Sequence, residues 1–218
     1  MNGLDERLMM LFHHVPQCEC VADIGTDHGY LPIALVSKRK CNKAIACDIS
    51  APSLKKAETH SRLQGIPLDC RISNGLSALE QEEADCIVIA GMGGILISEI
   101  LTQGKEKIND ATLVLQPMTA VKELREYLCN YGFSILKEDM VFQEEKLYHV
   151  LVAKKGEENQ EYDCEIGSGL KNHPLYGKYL MKRKDKELEI LKQMGSFRGE
   201  KYQKHKKLLE KLEQEEAT

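Results

Sequence analysis

The feature that most constrains the fold is a regular alternation of short apolar runs with stretches of helical periodicity between residues 20 and 153. The clearest run, Asp-Cys-Ile-Val-Ile-Ala at residues 85–90, is apolar on both faces, as a buried parallel strand is. Further strand-like runs occur at residues 20–24, 43–48, 68–72 and 112–115. Strands that alternate with helices favour an α/β fold with a parallel sheet.

Two later runs, residues 133–142 and 147–153, are separated by too few residues for a crossover helix, so we expect them to form an antiparallel hairpin. A short amphipathic helix is predicted at the N-terminus. Ser50 and Gly65 are placed to begin and end one of the other helices, and Thr119 is predicted to cap another.

The pattern divides the chain into an α/β domain at residues 1–155, a polar and acidic linker at 156–169, and a helical domain at 170–218. Sparse leucine stripes on the two helical stretches of the last segment, which are broken at Gly195, are typical of an antiparallel hairpin or coiled coil. Such narrow stripes are compatible with a monomer and with a weak dimer.

Charge is divided unevenly along the chain. Residues 1–167 carry 17 Lys and Arg against 26 Asp and Glu, whereas residues 168–218 carry 13 against 8. An acidic body with a basic extension indicates a polyanionic partner. The alternative is a lysine-rich helix that is merely solvated, and composition alone slightly favours it.

The sequence argues against a membrane protein and against a metalloprotein. No stretch approaches the roughly 20 apolar residues that cross a bilayer, and residues 1–12 lack the apolar block of a signal peptide. We therefore expect a cytoplasmic protein. The cysteines lack paired spacing, apart from Cys18 and Cys20, so buried free thiols are expected rather than disulfides or a metal site.

The first loop of the predicted sheet, residues 23–30, has the sequence Asp-Ile-Gly-Thr-Asp-His-Gly-Tyr. Ligands of doubly wound sheets bind at this edge, and Gly25 and Gly29 allow the backbone to approach one closely. A pyrophosphate loop avoids anions, yet Asp23 and Asp27 are present and the usual phosphate-binding motifs are absent. The cationic, phosphate-free S-adenosylmethionine is therefore favoured over NAD or ATP. A tight turn with a capping Asp is the alternative.

Candidate ligand residues also follow the other strands. Asp48 ends the second strand, where a carboxylate can accept hydrogen bonds from both ribose hydroxyls of a nucleoside. Asn74-Gly75 follows the third strand and either meets the adenine edge or forms a plain turn. Gly91-Met92-Gly93-Gly94 indicates a close backbone approach to a ligand or, alternatively, to a packed helix. Gln116-Pro117-Met118 occupies the matching position after the fifth strand.

These motifs resemble those of the bacterial tRNA (adenine-22-N1)-methyltransferases. The resemblance rests on Leu-Asp-Glu-Arg-Leu at 4–8, on Ala-Asp-Ile-Gly-Thr-Asp-His-Gly-Tyr-Leu-Pro at 22–32, and on the blocks at 74–76, 89–94 and 115–117. It covers roughly residues 4–155 and extends to the helical appendage, which that family also carries. Met118 departs from the family's Asn after Gln-Pro and puts one substrate contact in doubt, whereas Asp48 replaces a common Glu and keeps the carboxylate.

The resemblance implies a Rossmann-like class I methyltransferase with a seven-stranded sheet, S-adenosylmethionine as cofactor, no metal, and tRNA as substrate. The residues expected to bind the cofactor are Asp23, Gly25, Thr26, Asp27, Gly29, Asp48, Ile49, Asn74, Gly75, Gly91 and Met92. Those expected to meet the substrate are Arg7, Tyr30, Gly93 and Gln116, with phosphate contacts from Lys182, Arg183, Lys184, Lys204, Lys206 and Lys207. Arg7 can instead bind the cofactor carboxylate.

The expected reaction is methylation of adenine N1, which has a free lone pair and needs alignment rather than prior deprotonation. Asp27 and His28 are the candidates to steer the adenine or to take a later proton, and His28 can equally be a structural loop residue. A paired adenine has to be flipped out first. The alternatives are a methyltransferase acting on another RNA, a protein or a small molecule, and a nucleotide-binding scaffold without catalysis.

Overall fold

The computed structural model describes residues 4–156, 162–196 and 198–217. The chain divides into two compact units, Met1–Gly169 and Leu170–Thr218. The helices and strands of the first unit are, in chain order, α1 (Glu6–His14), β1 (Cys18–Ile24), α2 (Tyr30–Ser37), β2 (Cys41–Asp48), α3 (Ala51–Gln64), β3 (Asp69–Ile72), β4 (Cys86–Gly93), α4 (Gly94–Gln103), α5 (Lys105–Ile108), β5 (Thr112–Thr119), α6 (Val121–Asn130), β6 (Phe133–Gln143) and β7 (Lys146–Lys155).

The strands form one seven-stranded sheet in the order β3-β2-β1-β4-β5-β7-β6. Strands β1 to β5 are parallel, and β6 and β7 are an antiparallel hairpin whose second strand pairs with β5. This confirms the predicted doubly wound sheet with a terminal hairpin. The strand order reverses between β1 and β4, so the carboxyl ends of these two strands form the switch point at which such folds bind ligands.

Strand β4 lies at the centre of the core and is buried on both sides, as its unbroken apolar run predicts. Ile87 and Ile89 pack into the cluster on one face of the sheet, and Cys86 and Val88 pack into the cluster on the other face. All four side chains are fully buried. Two apolar faces require helices on both sides of the sheet, which is the layered arrangement of a doubly wound fold.

The predicted helix ends differ in their outcome. Ser50 caps α3 by accepting a hydrogen bond from the backbone of Ser53, and Gly65 ends the helix with a left-handed φ of +66°, so both predictions are confirmed. The predicted cap at Thr119 is wrong. Pairing with β4 continues as far as Thr119, which is therefore the last residue of β5, and Ala120 occupies the cap position of α6 without a side-chain hydrogen bond.

The described part of the predicted linker is packed onto the first unit. Within residues 162–169, the Tyr162 hydroxyl donates a hydrogen bond to Glu138, whose carboxylate also binds Arg125 at 2.8 Å. The Arg125 and Glu138 side chains are buried, so this segment covers an ion pair that would otherwise face solvent. Residues 157–161 lie outside the described part of the chain.

The second unit is a helical hairpin, as predicted. Its helices are α7 (Tyr176–Gln193) and α8 (Glu200–Glu216). A short 3-10 turn at Ser168–Leu170 precedes them and spans the boundary between the two units. Tyr176 binds Glu215 at 3.1 Å, and Glu187 binds His205 at 2.6 Å, so the start of one helix faces the end of the other. The helices are therefore antiparallel.

All eight cysteines are free thiols. Burial raises the pKa of each of them, to about 12 for Cys41 and Cys47. This agrees with the expectation that they act as small apolar side chains. Across the described residues, no helix has both the length and the apolar character needed to cross a membrane.

Candidate active site

A cavity of about 270 Å³ lies at the carboxyl ends of β1 and β4. Its lining residues are Arg7, Leu8, Asp23, Gly25, Thr26, Asp27, His28, Tyr30, Leu31, Ala90 and Gly91. Larger hollows of about 580 and 430 Å³ lie at the amino ends of the strands, beside Asp85. Because ligands of doubly wound sheets bind at the carboxyl ends, the smaller cavity is the candidate site. It contains eight of the predicted site residues.

The loop that follows β1 requires glycine at two positions. Gly25 and Gly29 both have left-handed backbone conformations, with φ of +77° and +70°. A Cβ at Gly25 would overlap the terminal methyl group of Met92, and one at Gly29 would lie 3.0 Å from the Cβ of Ala57 in α3. The structure thus places Met92 directly over the first loop, as expected of two residues of one ligand site.

Two buried polar side chains face the cavity from the end of β1. Burial raises the pKa of Asp23 to about 6; the neighbouring Asp48 acts in the same direction, whereas Thr26 and Arg7 act against it. Thr26 is also buried, and its Oγ1 atom makes no well-formed hydrogen bond among the described residues, although it lies close enough to Asp23 to lower the pKa of that carboxyl group. A buried hydroxyl without a well-formed hydrogen bond costs free energy unless a ligand or water satisfies it, so the site fits a ligand with polar groups.

Asp48 connects the first loop to β2. Its carboxylate accepts hydrogen bonds from the backbone NH of Asp27 at 3.2 Å and of Ser50 at 2.8 Å. A carboxylate has about four lone-pair positions, so it can still accept from a ligand. Ile49, the next residue, is 72% exposed. Both residues lie outside the cavity lining, at the side of the loop where a larger ligand would extend.

Asn74 and Gly75 lie outside the cavity lining too. Asn74 is exposed, and its backbone NH donates to the Ser77 hydroxyl at 3.2 Å. Gly75 has a left-handed φ of +59°, and a Cβ there would lie 3.0 Å from a methyl group of Ile100 in α4. Turn geometry and helix packing therefore account for this glycine without a ligand.

The glycines at the end of β4 and the start of α4 serve two purposes. If Gly91 carried a Cβ, its nearest neighbour would be Arg7 Nη1, 3.9 Å away. Gly91 is therefore open to the cavity. In contrast, a Cβ at Gly94 would overlap the carbonyl group of Ala120, and one at Gly93 would lie 3.2 Å from Thr119 Oγ1. Close packing against β5 and α6 explains the last two glycines, including Gly93, which was expected to meet the substrate.

Gln116 is fully buried, although the sequence suggested a direct substrate contact. Its Oε1 atom accepts hydrogen bonds from Arg7 Nη1 at 3.0 Å and from the backbone NH of Gly91 at 3.1 Å. Gln116 therefore positions Arg7 and the glycine loop, and Arg7 is the one of the two side chains that reaches the cavity.

The two candidate catalytic residues are adjacent. His28 Nδ1 lies 2.7 Å from a carboxylate oxygen of Asp27, an arrangement that orients the ring and leaves Nε2 as the nitrogen that can meet a ligand. The His28 ring stacks on Tyr30, with centroids 5.5 Å apart and planes 17° from parallel. Tyr30 is 40% exposed at the rim of the cavity, so a planar ligand can reach it.

The sequence analysis missed His60 of α3. Its ring meets the edge of Tyr30 with centroids 4.8 Å apart, and its Nδ1 lies 3.3 Å from the backbone carbonyl oxygen of His28. The only signal in the sequence is its position one turn after Ala57, the residue that contacts Gly29. That contact becomes informative only once the packing of the loop on α3 is known.

In the helical unit, three of the predicted phosphate contacts are engaged within the hairpin. Lys184, Lys206 and Arg183 interact with Glu216, Glu210 and Tyr179, respectively. Lys182, Lys204, Lys206 and Lys207 are all exposed. The exposed lysines are thus the better placed to meet an anionic partner.

Comparison with known proteins identifies the family. The family model of a methyltransferase domain matches residues 4–151. The tRNA (adenine(22)-N(1))-methyltransferase of Bacillus subtilis (strain 168) is 35% identical over 185 residues, which are 84% of this chain and 76% of that protein. The chain belongs to the tRNA (adenine(22)-N(1))-methyltransferase family. The predicted family and enzyme class are thereby confirmed.

Solved structures support the same assignment to this methyltransferase family. A Streptococcus pneumoniae protein crystallised in complex with S-adenosyl-L-methionine has a TM-score of 0.89 and 29% identity, covering 98% of this chain and 99% of the other. M. capricolum TrmK in complex with the cofactor product S-adenosyl-homocysteine has a TM-score of 0.86 and 28% identity, covering 97% and 96%. The predicted methyltransferase fold is confirmed over the catalytic unit and the hairpin.

Proposed function

We propose that this chain transfers the methyl group of S-adenosylmethionine to N1 of adenine 22 in tRNA. The proposal is supported by the cavity at the carboxyl ends of β1 and β4, in a chain that belongs to the family of a tRNA (adenine(22)-N(1))-methyltransferase. The cavity wall is acidic at Asp23 and Asp27, which suits a ligand with cationic sulfonium and ammonium groups. A tRNA substrate also fits a cytoplasmic enzyme.

The residues of the site fit the cofactor. When bound, S-adenosylmethionine supplies an electrophilic methyl group on a sulfonium. The buried hydroxyl of Thr26 and the open backbone at Gly91 would meet its polar groups, and the remaining lone pairs of Asp48 would accept hydrogen bonds from the ribose hydroxyls. Ile49 then offers an exposed apolar side chain to the adenine ring. The Asp23 carboxylate balances the positive charge of the sulfonium and ammonium groups.

The substrate side of the reaction requires alignment and little proton transfer. Adenine N1 attacks with its own lone pair, so the protein has to hold the base in line with the methyl group at roughly 3–3.5 Å. Tyr30 provides a face on which the flipped base stacks. The methylated base is cationic and loses a proton from its exocyclic nitrogen, and His28, oriented by Asp27, is placed to accept it.

The two units divide the work in this proposal. The unit that contains residues 1–155 binds the cofactor and carries out the reaction. The helical unit, residues 170–218, holds the tRNA backbone through its exposed lysines Lys182, Lys204 and Lys207, and such contacts position the RNA without reading its sequence.

The direct test is mass spectrometry of tRNA nucleosides after incubation with the protein and the cofactor. We expect 1-methyladenosine at one position, adenine 22, and no product in a tRNA that carries guanine there. A tRNA with 1-deazaadenosine at position 22 should be inert, whereas removal of the exocyclic amine should slow the reaction without abolishing it. N6-methyladenosine as the first product, under neutral conditions that prevent rearrangement, would refute the proposal.

A further inference from the structure

A row of aromatic rings leads from the cavity to the outer face of α3. His28 stacks on Tyr30, and Tyr30 meets His60 edge to face. His60 is held at both ring nitrogens, since Nε2 lies 2.7 Å from the side-chain nitrogen of Gln64 and Nδ1 lies 3.3 Å from the carbonyl of His28. The carbonyl can only accept, so Nδ1 carries the proton and Nε2 accepts from the Gln64 amide. The row is therefore preorganised.

The row continues into a shallow hollow of about 390 Å³ on the surface of α3. We call this surface the α3 strip; it is formed by Pro52, Lys55, Lys56, Thr59, His60 and Leu63. The opposite face of the helix, with Leu54, Ala57 and Ser61, is buried against the sheet unit. Leu63 is 79% exposed and contributes an apolar side chain to the strip. The strip thus combines apolar, aromatic and basic side chains on one exposed surface.

The charge of α3 is opposite to that of the unit around it. Residues 51–65 carry three basic side chains, Lys55, Lys56 and Arg62, and one acidic side chain, Glu58, whereas residues 1–167 as a whole are strongly acidic. Among the described residues, none forms an ion pair with Lys55, Lys56 or Arg62. A local excess of unpaired positive charge on an acidic body favours an anionic ligand at this place.

We infer that the α3 strip binds the RNA strand next to the target adenine, with a neighbouring base on the His60 ring and phosphates on Lys55 and Lys56. This rests on the proposed function. Flipping the target base leaves its neighbours partly unstacked, and aromatic side chains replace such lost stacking for any base. An acidic protein partner could also be attracted by the lysines, but the rings lead directly into the cavity that holds the adenine, which favours RNA.

The electrostatic part is tested with the Lys55→Ala/Lys56→Ala variant of the full chain, compared with Lys105→Ala/Lys107→Ala on α5, which precedes the amino end of β5. Two lost phosphate contacts should raise the Kd for tRNA about tenfold at moderate salt and reduce the slope of log Kd against log salt by about 1.5. The affinity for S-adenosylmethionine should not change. Unchanged Kd and slope, or an equal loss in the α5 variant, would overturn the inference.

The stacking part is tested with tRNA that carries 2-aminopurine beside the target adenine. Its fluorescence should be quenched on binding to the wild-type protein and to His60→Phe, which keeps a ring, but not on binding to His60→Ala. Equal behaviour of the Phe and Ala variants would assign His60 to loop positioning alone and would overturn the stacking. The tRNA affinity of the lysine variants does not depend on which adenine is methylated, so that readout remains decisive if the position proves different; failure of the proposed function would appear in the wild-type protein as absence of 1-methyladenosine.

Discussion

The guanidinium of Arg7 donates a hydrogen bond across 3.0 Å to the side-chain oxygen of Gln116, which also accepts the backbone NH of Gly91. One buried oxygen thus joins α1, β4 and β5 at the cavity. Arg7 lies far from both partners in the chain, so this contact determines where α1 holds its charged side chain. The position of Arg7 at the cavity therefore depends on a buried residue that is not part of the cavity lining.

We expect Gln116→Leu to lower kcat/KM about tenfold and to destabilise the fold by about 1–3 kcal/mol, because Arg7 and the NH of Gly91 lose a buried acceptor. A double-mutant cycle with Arg7→Met separates the contributions. If the pair acts as a unit, the double variant will lose clearly less than the sum of the single losses. Strict additivity in both activity and urea denaturation would show that the two residues act independently.

Asp48→Ala should weaken the binding of S-adenosylmethionine by about 1.5–3 kcal/mol, the range for hydrogen bonds to a charged group. The variant also loses the bonds to the NH groups of Asp27 and Ser50, so Asp48→Asn, which keeps an acceptor oxygen, should lose less. Calorimetric titration measures both affinities. Asp110→Ala, an exposed aspartate beyond the cavity, is the matched control. An affinity like that of this control would remove Asp48 from the site.

Cofactor affinity should depend on pH through Asp23, whose pKa burial raises to about 6. The cationic cofactor favours the ionised carboxylate, so Kd should rise about tenfold for each pH unit below 6. Asp23→Asn should bind more weakly at neutral pH and lose this dependence. His28→Gln should retain it, which distinguishes Asp23 from the neighbouring imidazole.

Asp23 should also make the free energy of unfolding depend on pH, in the opposite direction to its effect on cofactor affinity. A carboxyl group with a raised pKa in the folded state contributes stability below its unfolded pKa, and this contribution is lost as pH rises through the folded pKa. The loss for Asp23 amounts to about 3 kcal/mol between pH 4 and 6. Urea denaturation of the cofactor-free protein should show that Asp23→Asn flattens the profile in this window.

Truncation should separate cofactor binding from tRNA binding if the shortened chain still covers the buried Arg125–Glu138 ion pair. A chain that ends at Gly169 keeps the Tyr162 hydroxyl on Glu138, and should bind S-adenosylmethionine normally while methylating tRNA poorly. A chain that ends at residue 160 exposes the Arg125–Glu138 pair, and should be less stable by about 1–3 kcal/mol. Equal thermal stability of the two truncated chains would contradict this role of residues 162–169.

The sequence predicted the ends of helices well where a single residue determines the local backbone conformation. Ser50 and Gly65 mark the ends of α3 because a hydroxyl cap and a left-handed glycine act within a few residues. Thr119 failed as a cap because β5 continues along β4, which is a pairing between distant segments. A single sequence carries no direct record of that register.

In the candidate site, too, features that depend on neighbouring residues were predictable, and features that depend on distant contacts were not. The loop with Gly25 and Gly29 was predictable, since its glycines and carboxylates are close neighbours in the chain. The burial of Gln116 and the role of His60 were not, because both arise from contacts between residues distant in the chain. The close packing of Gly93 against Thr119 was not predictable either, because a glycine that packs against a neighbouring strand and one that faces a ligand look alike in a sequence.

The high pKa values of the thiols have a practical consequence for labelling the helical hairpin. A thiol whose pKa lies two or more units above that of a free cysteine is almost entirely protonated at neutral pH, and the protonated form reacts poorly with maleimides. A cysteine introduced at exposed Lys204 should therefore take up a fluorophore before the buried Cys41 and Cys47 do.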